Sequence, residues 1–226
     1  MALIEIKDLK RYFITKSHTT QVLNGITFTI DEGSFVAIVG RSGAGKSTLL
    51  YQLALLDTPS EGTIIIDGQN TSTFSEKQFE LFRLHTLGYV FQDYALIPDL
   101  TVAENILFPL HMRNIDKIQS THMLHEALDA VDLRDKKDMF PTHLSGGEQQ
   151  RVSIARAVAG SPRILFADEP TANLDSRAGR RVIDLLTKIN QQGKTVVMVT
   201  HDLEYTESCS RIIELNDGVV ISDTKR

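Results

Sequence analysis

The segment GRSGAGKST, from Gly40 to Thr48, constrains the fold of this 226-residue chain more than any other. It directly follows the apolar run FVAIV and fits the pattern G-x-x-x-x-G-K-[ST], a glycine-rich turn between a strand and a helix. Backbone N–H groups in such a turn form a nest for phosphates, while Lys46 reaches the β- and γ-phosphates and Ser47 holds Mg²⁺. The predicted phosphate-binding residues are Gly40, Arg41, Ser42, Gly43, Ala44, Gly45, Lys46, Ser47 and Thr48.

Three short apolar runs predict a parallel sheet around that loop. FVAIV (35–39), ILFA (164–167) and TVVMV (195–199) are almost uninterruptedly apolar, which is typical of strands covered on both faces. Ligands of open α/β sheets bind beyond the carboxyl ends of the strands. We therefore expect the phosphate loop to lie beside the polar residues that end the other two runs, which are Asp168, Glu169 and His201.

The two ends of the chain predict antiparallel strands. Apolar residues alternate with polar ones near the N-terminus, which indicates strands with one exposed face; they are Ile4, Ile6, Leu9, Ile26, Phe28 and Ile30. Asp-Gly pairs beside β-branched runs in TIIIDGQN and RIIELNDGVVIS predict hairpins. The expected class is α/β, with a mainly parallel sheet and an N-terminal antiparallel β subdomain.

The stretch from 93 to 160 predicts helices instead. Thr101 and Glu104 have the spacing of a capping box. Apolar residues in STHMLHEALDAV form one helical stripe; they are Met123, Leu124, Ala127, Leu128 and Val131. We predict one nucleotide-binding domain over 1–226, in which 93–160 is an inserted helical subdomain and 1–92 with 161–226 forms the ATP-binding core and β subdomain.

Composition narrows the function classes. The formal net charge of −5 argues against a dominant nucleic-acid surface, so no nucleic-acid partner is expected. Only Cys209 is present, which excludes an internal disulfide framework and fits a reducing compartment. No apolar run approaches the roughly 18 residues of a membrane span. These features predict a cytosolic chain.

The polar residues that end the apolar runs suggest hydrolysis. Of the paired acids Asp168 and Glu169, one can orient a metal and the other can accept a proton from an attacking water. His201 ends a strand, where contact with a γ-phosphate competes with a purely structural role. Either Tyr12 or Phe13 could stack on adenine in a chain without tryptophan, although packing is the commoner use of such residues.

A second glycine pair lies in LSGGEQQR, at the start of a predicted helix. Gly146 and Gly147 allow close approach of a ligand to the backbone, Ser145 offers a hydroxyl, and the helix N-terminus attracts anions. An ordinary capped helix explains these residues equally well. If the loop instead faces a second chain, each nucleotide is held by the Lys46 loop of one molecule and the Ser145 loop of the other.

Taken together, these segments resemble the motifs of ATP-binding cassette (ABC) ATPases, in the family's order and along the whole chain. The matching motifs are Walker A (40–48), the Q-loop (Gln92), the signature (Leu144–Glu148), Walker B with its following acid (Asp168, Glu169), the D-loop (Asp175) and the switch histidine (His201). Tyr12 matches the aromatic A-loop best, with Phe13 as the fallback. The resemblance implies a P-loop NTPase (RecA-like) core with ATP and Mg²⁺ as cofactors.

The resemblance also implies roles for these residues. Two chains would form a head-to-tail dimer in which each ATP lies between one Walker A loop and the opposite signature, at Ser145, Gly146, Gly147 and Asp175. Glu169 would polarise the attacking water, and His201 and Lys46 would stabilise charge on the γ-phosphate. The residues expected to order Mg²⁺ are Asp168, Ser47 and Gln92.

Within the family, several stretches are similar to the lipoprotein-releasing (LolD), macrolide-exporting (MacB) and cell-division (FtsE) ATPases. They are LALLDTPSEGTIIIDG, GYVFQDYALIPDLTVAENILFPL and FPTHLSGGEQQRVSIARAVAGSPRILFADEPTANLD. This similarity implies an ATPase that drives a separate integral membrane permease from the cytoplasmic face of the inner (cell) membrane, in lipoprotein release, macrolide or peptide export or a related process. The alternative is a soluble ABC ATPase of the iron–sulfur cluster assembly type acting on a cytosolic scaffold. A DNA-repair or translation ATPase is disfavoured, because the chain has one cassette and no room for a long coiled coil between Walker A and the signature.

Overall fold

The computed structural model describes residues 1–15 and 18–226. Its strands are β1 Ala2–Ile14, β2 Thr19–Asp31, β3 Phe35–Val39, β4 Glu61–Ile66, β5 Gln69–Asn70, β6 Leu87–Val90, β7 Ile164–Asp168, β8 Thr195–Thr200, β9 Arg211–Asn216 and β10 Val219–Lys225. Its α-helices are α1 Lys46–Leu53, α2 Glu76–Thr86, α3 Val102–Met112, α4 Lys117–Ala130, α5 Gly146–Ala159 and α6 Ser176–Gln191. Short 3₁₀ turns lie at Thr71–Thr73, Arg134–Lys136, Pro141–His143 and Leu203–Thr206.

A six-stranded sheet forms the centre of the molecule, in the order β10-β9-β3-β8-β7-β6. All neighbouring strands are parallel except the pair β9 and β10. Alternate residues of β3 enter two different cores: Phe35 packs on the face covered by α3 to α6, while Val36 packs on the face covered by α1. Both faces are buried, which is why the three predicted runs are continuously apolar. The predicted parallel strands are confirmed.

A second sheet is antiparallel and has the order β2-β1-β4-β5. Ile4, Ile6 and Leu9 are all buried on its inner face, although Leu9 breaks the two-residue period. The register with β2 shifts between Ile6 and Leu9, and Asp8 adopts a φ of 48°. This bulge inserts one residue and returns Leu9 to the core.

The two Asp-Gly pairs form the predicted hairpin turns. Asp67 and Gly68 connect β4 to β5, and Asp217 and Gly218 connect β9 to β10. Each turn residue has a positive φ, between 46° and 75°. Asp-Gly satisfies this requirement because aspartate tolerates the left-handed region and glycine has no Cβ to clash there.

Helices α3, α4 and α5 occupy the stretch from 93 to 160, which is described throughout and holds no strand. Thr101 and Glu104 form the predicted capping box at the start of α3. The predicted stripe of α4 faces the core, with Leu124, Ala127 and Leu128 buried. The sequence analysis did not predict α2, which has no buried residue and lies before residue 93. The subdomain boundaries themselves stay a prediction. Among residues 1–15 and 18–226, no helix is both long and apolar enough to cross a membrane.

Candidate nucleotide site

A cleft of about 700 Å³ opens where β3, β7 and β8 end. The residues that line it are Val22, Ser42, Gly43, Gly45, Lys46, Ser47, Thr48, Gln92, Glu169 and His201. The cleft therefore brings together most of the residues predicted from the sequence for phosphate, metal and catalysis. It lies beyond the carboxyl ends of parallel strands, as expected for an open α/β sheet.

The loop between β3 and α1 requires its glycines. Gly40, Gly43 and Gly45 have φ values of 153°, 81° and 95°. A Cβ on Gly40 would lie only 2.3 Å from the backbone oxygen of Leu215 in β9. Since the loop turns against that strand, no larger residue fits at Gly40 without moving the backbone.

The turn between β9 and β10 supports the same loop from behind. The N–H of Gly218 donates to the carbonyl of Ala44 at 3.1 Å. A Cβ on Gly218 would lie 2.3 Å from the backbone oxygen of Val22, a residue of the cleft wall. The C-terminal hairpin thus holds the phosphate loop and β2 together.

Lys46 is the buried cation of the cleft, with 7% of its surface exposed. Its Nζ donates to the carbonyls of Gly40 at 2.9 Å and Arg41 at 3.2 Å, and lies 3.6 Å from Oε1 of Glu169. These contacts fold the side chain back over its own loop. An anion entering the cleft can therefore bind this ammonium group in place of Glu169.

Asp168 ends β7 and is 3% exposed. Its Oδ1 accepts a hydrogen bond from Oγ of Ser47 at 2.9 Å, and its Oδ2 accepts one from the hydroxyl of Tyr89 at 3.4 Å. Burial raises the pKa of Asp168, while the bond from Ser47 opposes that shift. The paired oxygens of Ser47 and Asp168 are hard ligands of the kind that Mg²⁺ prefers.

Glu169 follows in a left-handed conformation, with a φ of 43°. This geometry is uncommon for a residue with a side chain and is concentrated at functional sites. It directs the carboxylate toward His201, whose Nδ1 lies 2.9 Å from Oε2 and whose backbone N–H also donates to that oxygen. The pair Glu169 and His201 predicted from the sequence is therefore in direct contact.

Gln92 lies in the cleft wall, and its backbone is tied to the D-loop. Nδ2 of Asn173 donates to the carbonyl of Gln92 at 3.0 Å. Tyr94 and Ala95 then take φ values of 65° and 47°, and the guanidinium of Arg156 donates to both of their carbonyls. The segment after Gln92 is thus held by Arg156 from α5.

Tyr12 lies on β1 opposite Gln21. Its hydroxyl donates to Oε1 of Glu61 at 3.2 Å, and Tyr12 is not one of the residues that line the cleft. Gln21, its partner on β2, directly precedes Val22, which lines the cleft, so Tyr12 lies close to the cleft. Phe13, the fallback, is 45% exposed and lies under the guanidinium of Arg11.

The signature residues form a second depression of about 330 Å³. It is lined by Ser145, Gly146, Gly147, Glu148, Arg151, Asn173, Leu174, Asp175, Arg177, Ala178 and Arg181. Asp175 caps α6 by accepting the N–H of Ala178 at 2.8 Å. The first turns of α5 and α6 approach closely, since a Cβ on Gly147 would lie 3.1 Å from that of Ala178.

Glu148 holds the signature serine in place. Oε2 of Glu148 accepts from both the N–H and the Oγ of Ser145, at 2.9 and 2.8 Å, and its Oε1 forms an ion pair with Lys136. These contacts lower the pKa of Glu148 to about 2, with the bond from Lys136 as the largest cause. The carboxylate is ionised throughout the physiological pH range.

Three contacts of the site escaped the sequence analysis. They come from Val22, Tyr89 and Asn173. Val22 and Tyr89 lie on strands, and Asn173 lies in the segment ADEPTANLD, where an amide three residues after Pro170 carries no signal by itself. Only the register of the strands and the path of the loop identify them.

The fold and the cleft define a P-loop nucleoside-triphosphate hydrolase, because a glycine-rich loop with Lys46 and Ser47 faces Asp168 at the carboxyl edge of a parallel sheet. The sequence profile described as "ABC transporter" matches residues 23–172. The chain belongs to the ABC transporter family.

Proteins that are similar to this chain over at least nine tenths of its length support the same family assignment. The lipoprotein-releasing system ATP-binding protein LolD of Aquifex aeolicus is 46% identical over 206 residues, covering 91% of this chain and 92% of LolD. The macrolide export ATP-binding/permease protein MacB of Aggregatibacter actinomycetemcomitans is 42% identical over 226 residues, but this chain spans only 35% of its length. A dimeric structure of the ATP-binding cassette MJ0796 in a post-hydrolysis state, bound to ADP and Pi, is 38% identical with a TM-score of 0.92, covering 98% of each chain.

These findings confirm the predicted class. The chain is an ATP-binding, ATP-hydrolysing subunit of the kind found in ABC transporters. They favour this reading over the soluble iron–sulfur assembly type, since the matched relatives are transporter ATPases. The α/β P-loop fold with its mixed sheets is likewise confirmed.

Proposed function

We propose that two copies of this chain close head to tail on two ATP molecules with Mg²⁺ and thereby drive a separate integral membrane permease. The work would be lipoprotein release, macrolide or peptide export, or a related process, performed from the cytoplasmic face of the membrane. One observation supports a site shared between two chains. The nucleotide cleft and the signature depression are separate and have no lining residue in common. Each is half of an ATP site.

The first half binds the phosphates and performs the chemistry. Backbone N–H groups of 40–48 and Nζ of Lys46 hold the β- and γ-phosphates. Glu169 accepts the proton of the attacking water, and His201 stabilises the γ-phosphate oxygens while fixing the orientation of Glu169. The distance of 2.9 Å between Oε2 of Glu169 and Nδ1 of His201 supports these roles for the two residues.

Mg²⁺ fits the oxygen donors at the end of β7. Ser47 and Asp168 are already in contact at 2.9 Å, and Gln92 lines the same cleft. No cluster of three or more His, Cys, Asp or Glu side chains able to hold a metal exists in the described ranges. That finding suits Mg²⁺, which is held through few protein oxygens together with phosphates and water. When bound, the ion neutralises charge on the phosphates.

The second half completes the site of the other chain. Ser145, Gly146 and Gly147 would present a hydroxyl, backbone N–H groups and the N-terminus of α5 to the γ-phosphate. Asp175, at the start of α6, would face the same nucleotide. Tyr12, on β1 next to the strand that carries Val22, would stack on the adenine after its hydroxyl leaves Glu61.

A mixing experiment tests the shared site. Lys46→Ala disables the first half, and Ser145→Arg blocks the second half at an exposed position where arginine can be accommodated. Each variant alone should be inactive. Mixed in equal amounts, they form heterodimers in which one of the two sites is intact, so up to about a quarter of the wild-type activity should return.

Dimer formation provides the second readout. The same two changes are placed in a Glu169→Gln background, and ATP-dependent dimers are measured by size-exclusion chromatography with light scattering. The mixture should form dimers that neither variant forms by itself. If mixing restores neither activity nor dimers, each chain holds a complete site and the head-to-tail arrangement is wrong.

An apolar groove supports the proposed permease partner. It has a volume of about 870 Å³ and lies between α2, β6 and the ends of α3 and α5. Five large apolar side chains in it are between 36% and 59% exposed; they are Leu56, Leu81, Ile97, Phe108 and Met112. Such a patch marks a protein interface, and the groove includes Phe91, which directly precedes Gln92, and Ala95, which lies three residues after it.

Co-purification tests the partner. The Glu169→Gln protein is extracted from native membranes in detergent with ATP and Mg²⁺, and we expect a stoichiometric multi-pass membrane protein. Phe108→Asp in the groove should abolish this association while ATP hydrolysis by the isolated chain continues. Ile118→Asp is the matched control, since Ile118 is 86% exposed on α4 outside the groove. Recovery of soluble partners alone would contradict the membrane assignment.

A further inference from the structure

Gly179 is an unusual residue in the first turn of α6. Glycine weakens a helix interior, yet this position has no positive φ that would require it. The reason is a neighbour: a Cβ on Gly179 would lie 2.6 Å from the hydroxyl oxygen of Tyr205 and 3.0 Å from its Cζ. The helix therefore has a notch, and the end of the Tyr205 side chain fills it.

Tyr205 belongs to the segment that begins with His201. It lies in the 3₁₀ turn Leu203–Thr206, which Asp202 caps by accepting the N–H of Glu204 at 3.1 Å. Tyr205 is only 8% exposed. Its ring is thus fixed in the protein interior while its backbone is four residues from the histidine of the cleft.

The notch also touches the segment that follows Glu169. The Cγ2 of Thr171 would lie 3.6 Å from a Cβ on Gly179. The N–H of Gly179 donates to the carbonyl of Asp175 at 2.8 Å, and Ala178 packs against the signature loop at Gly147. Tyr205 therefore contacts α6 at the point where the segments of the catalytic cleft meet the wall of the signature depression.

We propose that Tyr205 is a positioning residue that keeps the two half-sites of one chain in a fixed relation, and so couples the two ATP sites of the dimer. The inference rests on the proposed head-to-tail function. Each chain contributes its catalytic half to one ATP and its signature half to the other. A rigid connection between these halves transmits the state of one site to the other.

The test is a steric insertion with a matching relief. Gly179→Ala adds the clashing Cβ, and Tyr205→Phe removes the oxygen that it would meet. We expect Gly179→Ala to lower kcat about ten- to a hundredfold through misplacement of His201 and Glu169, with ATP affinity unchanged. The Hill coefficient for ATP should fall toward 1. The double variant should recover part of kcat and of the Hill coefficient, because the 2.6 Å contact is removed while Cζ of residue 205 stays 3.0 Å from the added Cβ. Asp184→Ala, on the exposed side of α6, should match the wild type.

A merely structural contact would give a different pattern. It would change the melting temperature of Gly179→Ala and leave kcat and the Hill coefficient at wild-type values, which would overturn the proposal. Failure of Tyr205→Phe to relieve a folded Gly179→Ala protein would also overturn it. If Gly179→Ala does not fold, Tyr205→Leu, which empties the notch, must show the same loss of cooperativity for the proposal to stand. The mixing experiment with Lys46→Ala and Ser145→Arg distinguishes failure of the positioning role from failure of the shared site: if mixing restores activity and Gly179→Ala is normal, only the positioning role is wrong.

Discussion

Replacement of Glu169 by glutamine should have opposite effects on catalysis and on nucleotide binding. Glu169 is the proposed base, and removal of a general base typically costs 10²- to 10⁴-fold in rate, which corresponds to about 3–5 kcal/mol of transition-state stabilisation. The variant should therefore bind ATP, lose most of its turnover and accumulate as a closed dimer.

The contact between Glu169 and Lys46 gives the second effect. The carboxylate lies 3.6 Å from Nζ of Lys46, and both side chains are at most 10% exposed. At an effective dielectric constant of about 20 that separation corresponds to roughly 4–5 kcal/mol of gross attraction. The net loss on neutralisation is smaller, about 1–2 kcal/mol, because burial of the carboxylate is itself costly and Lys46 keeps its bonds to Gly40 and Arg41.

In the variant, ATP supplies the anion that Lys46 lacks. In the wild type, the phosphates must instead displace the carboxylate of Glu169 from Lys46. Glu169→Gln should therefore be less stable when nucleotide-free, yet bind ATP roughly 5- to 30-fold more tightly, which is the same 1–2 kcal/mol. Thermal unfolding with and without ATP measures both, and phosphate release measures turnover. Hydrolysis at the wild-type rate would refute the assigned base, and weaker ATP binding than in the wild type would refute the competition for Lys46.

Three further outcomes follow from contacts of the site. Ser47→Ala should raise the Mg²⁺ concentration needed for half-maximal ATP binding at least about tenfold, because Asp168 loses one of its two hydrogen-bond donors and the metal loses a ligand. Fluorescent-nucleotide titration at fixed ATP measures this, and an unchanged Mg²⁺ requirement would contradict it. Lys136→Met should cost roughly 1 kcal/mol of stability at pH 7 in urea unfolding, since the pKa of Glu148 rises from about 2 toward its ordinary value. A carboxylate whose pKa is lower in the folded protein than in the unfolded chain stabilises the fold at pH values above its pKa in the unfolded chain. The difference in free energy of unfolding between the wild type and Lys136→Met should therefore shrink as the pH falls from about 4 toward 2. Burial raises the pKa of Cys209 to about 12, so its thiol should react with a disulfide reagent only after unfolding; rapid labelling of the native protein would be inconsistent with that burial.

The elements that carry chemistry could be predicted from the sequence because their residue types are locally constrained. The phosphate loop needs glycines because Gly40, Gly43 and Gly45 have positive φ values, and a strand with both faces buried must be apolar throughout. The Asp-Gly turns belong to the same group. In each case the backbone conformation or the burial of the segment restricts the residue type strongly enough to leave a pattern in the sequence.

The remaining features depend on contacts between distant segments. Helix α2 has no buried residue: Phe79 and Phe82 pack against the core only in part, and Leu81 is exposed, so its apolar residues do not form one buried stripe. The bond from Tyr89 to Asp168 joins residues on two neighbouring strands and depends on their register. The fit of Tyr205 against Gly179 is equally invisible in the sequence, since it joins residues 26 positions apart and neither residue type indicates the other.

The support of the phosphate loop by the C-terminal hairpin has a consequence for synthesis of the chain. The loop near Gly40 leaves the ribosome before Leu215, against which it packs, and before Gly218, from which it receives a hydrogen bond. A nascent chain that has exposed all the phosphate-binding residues therefore still lacks the wall that shapes them. Nucleotide affinity should arise abruptly when β9 and the following turn become available, so an incomplete chain does not capture ATP before its fold is closed.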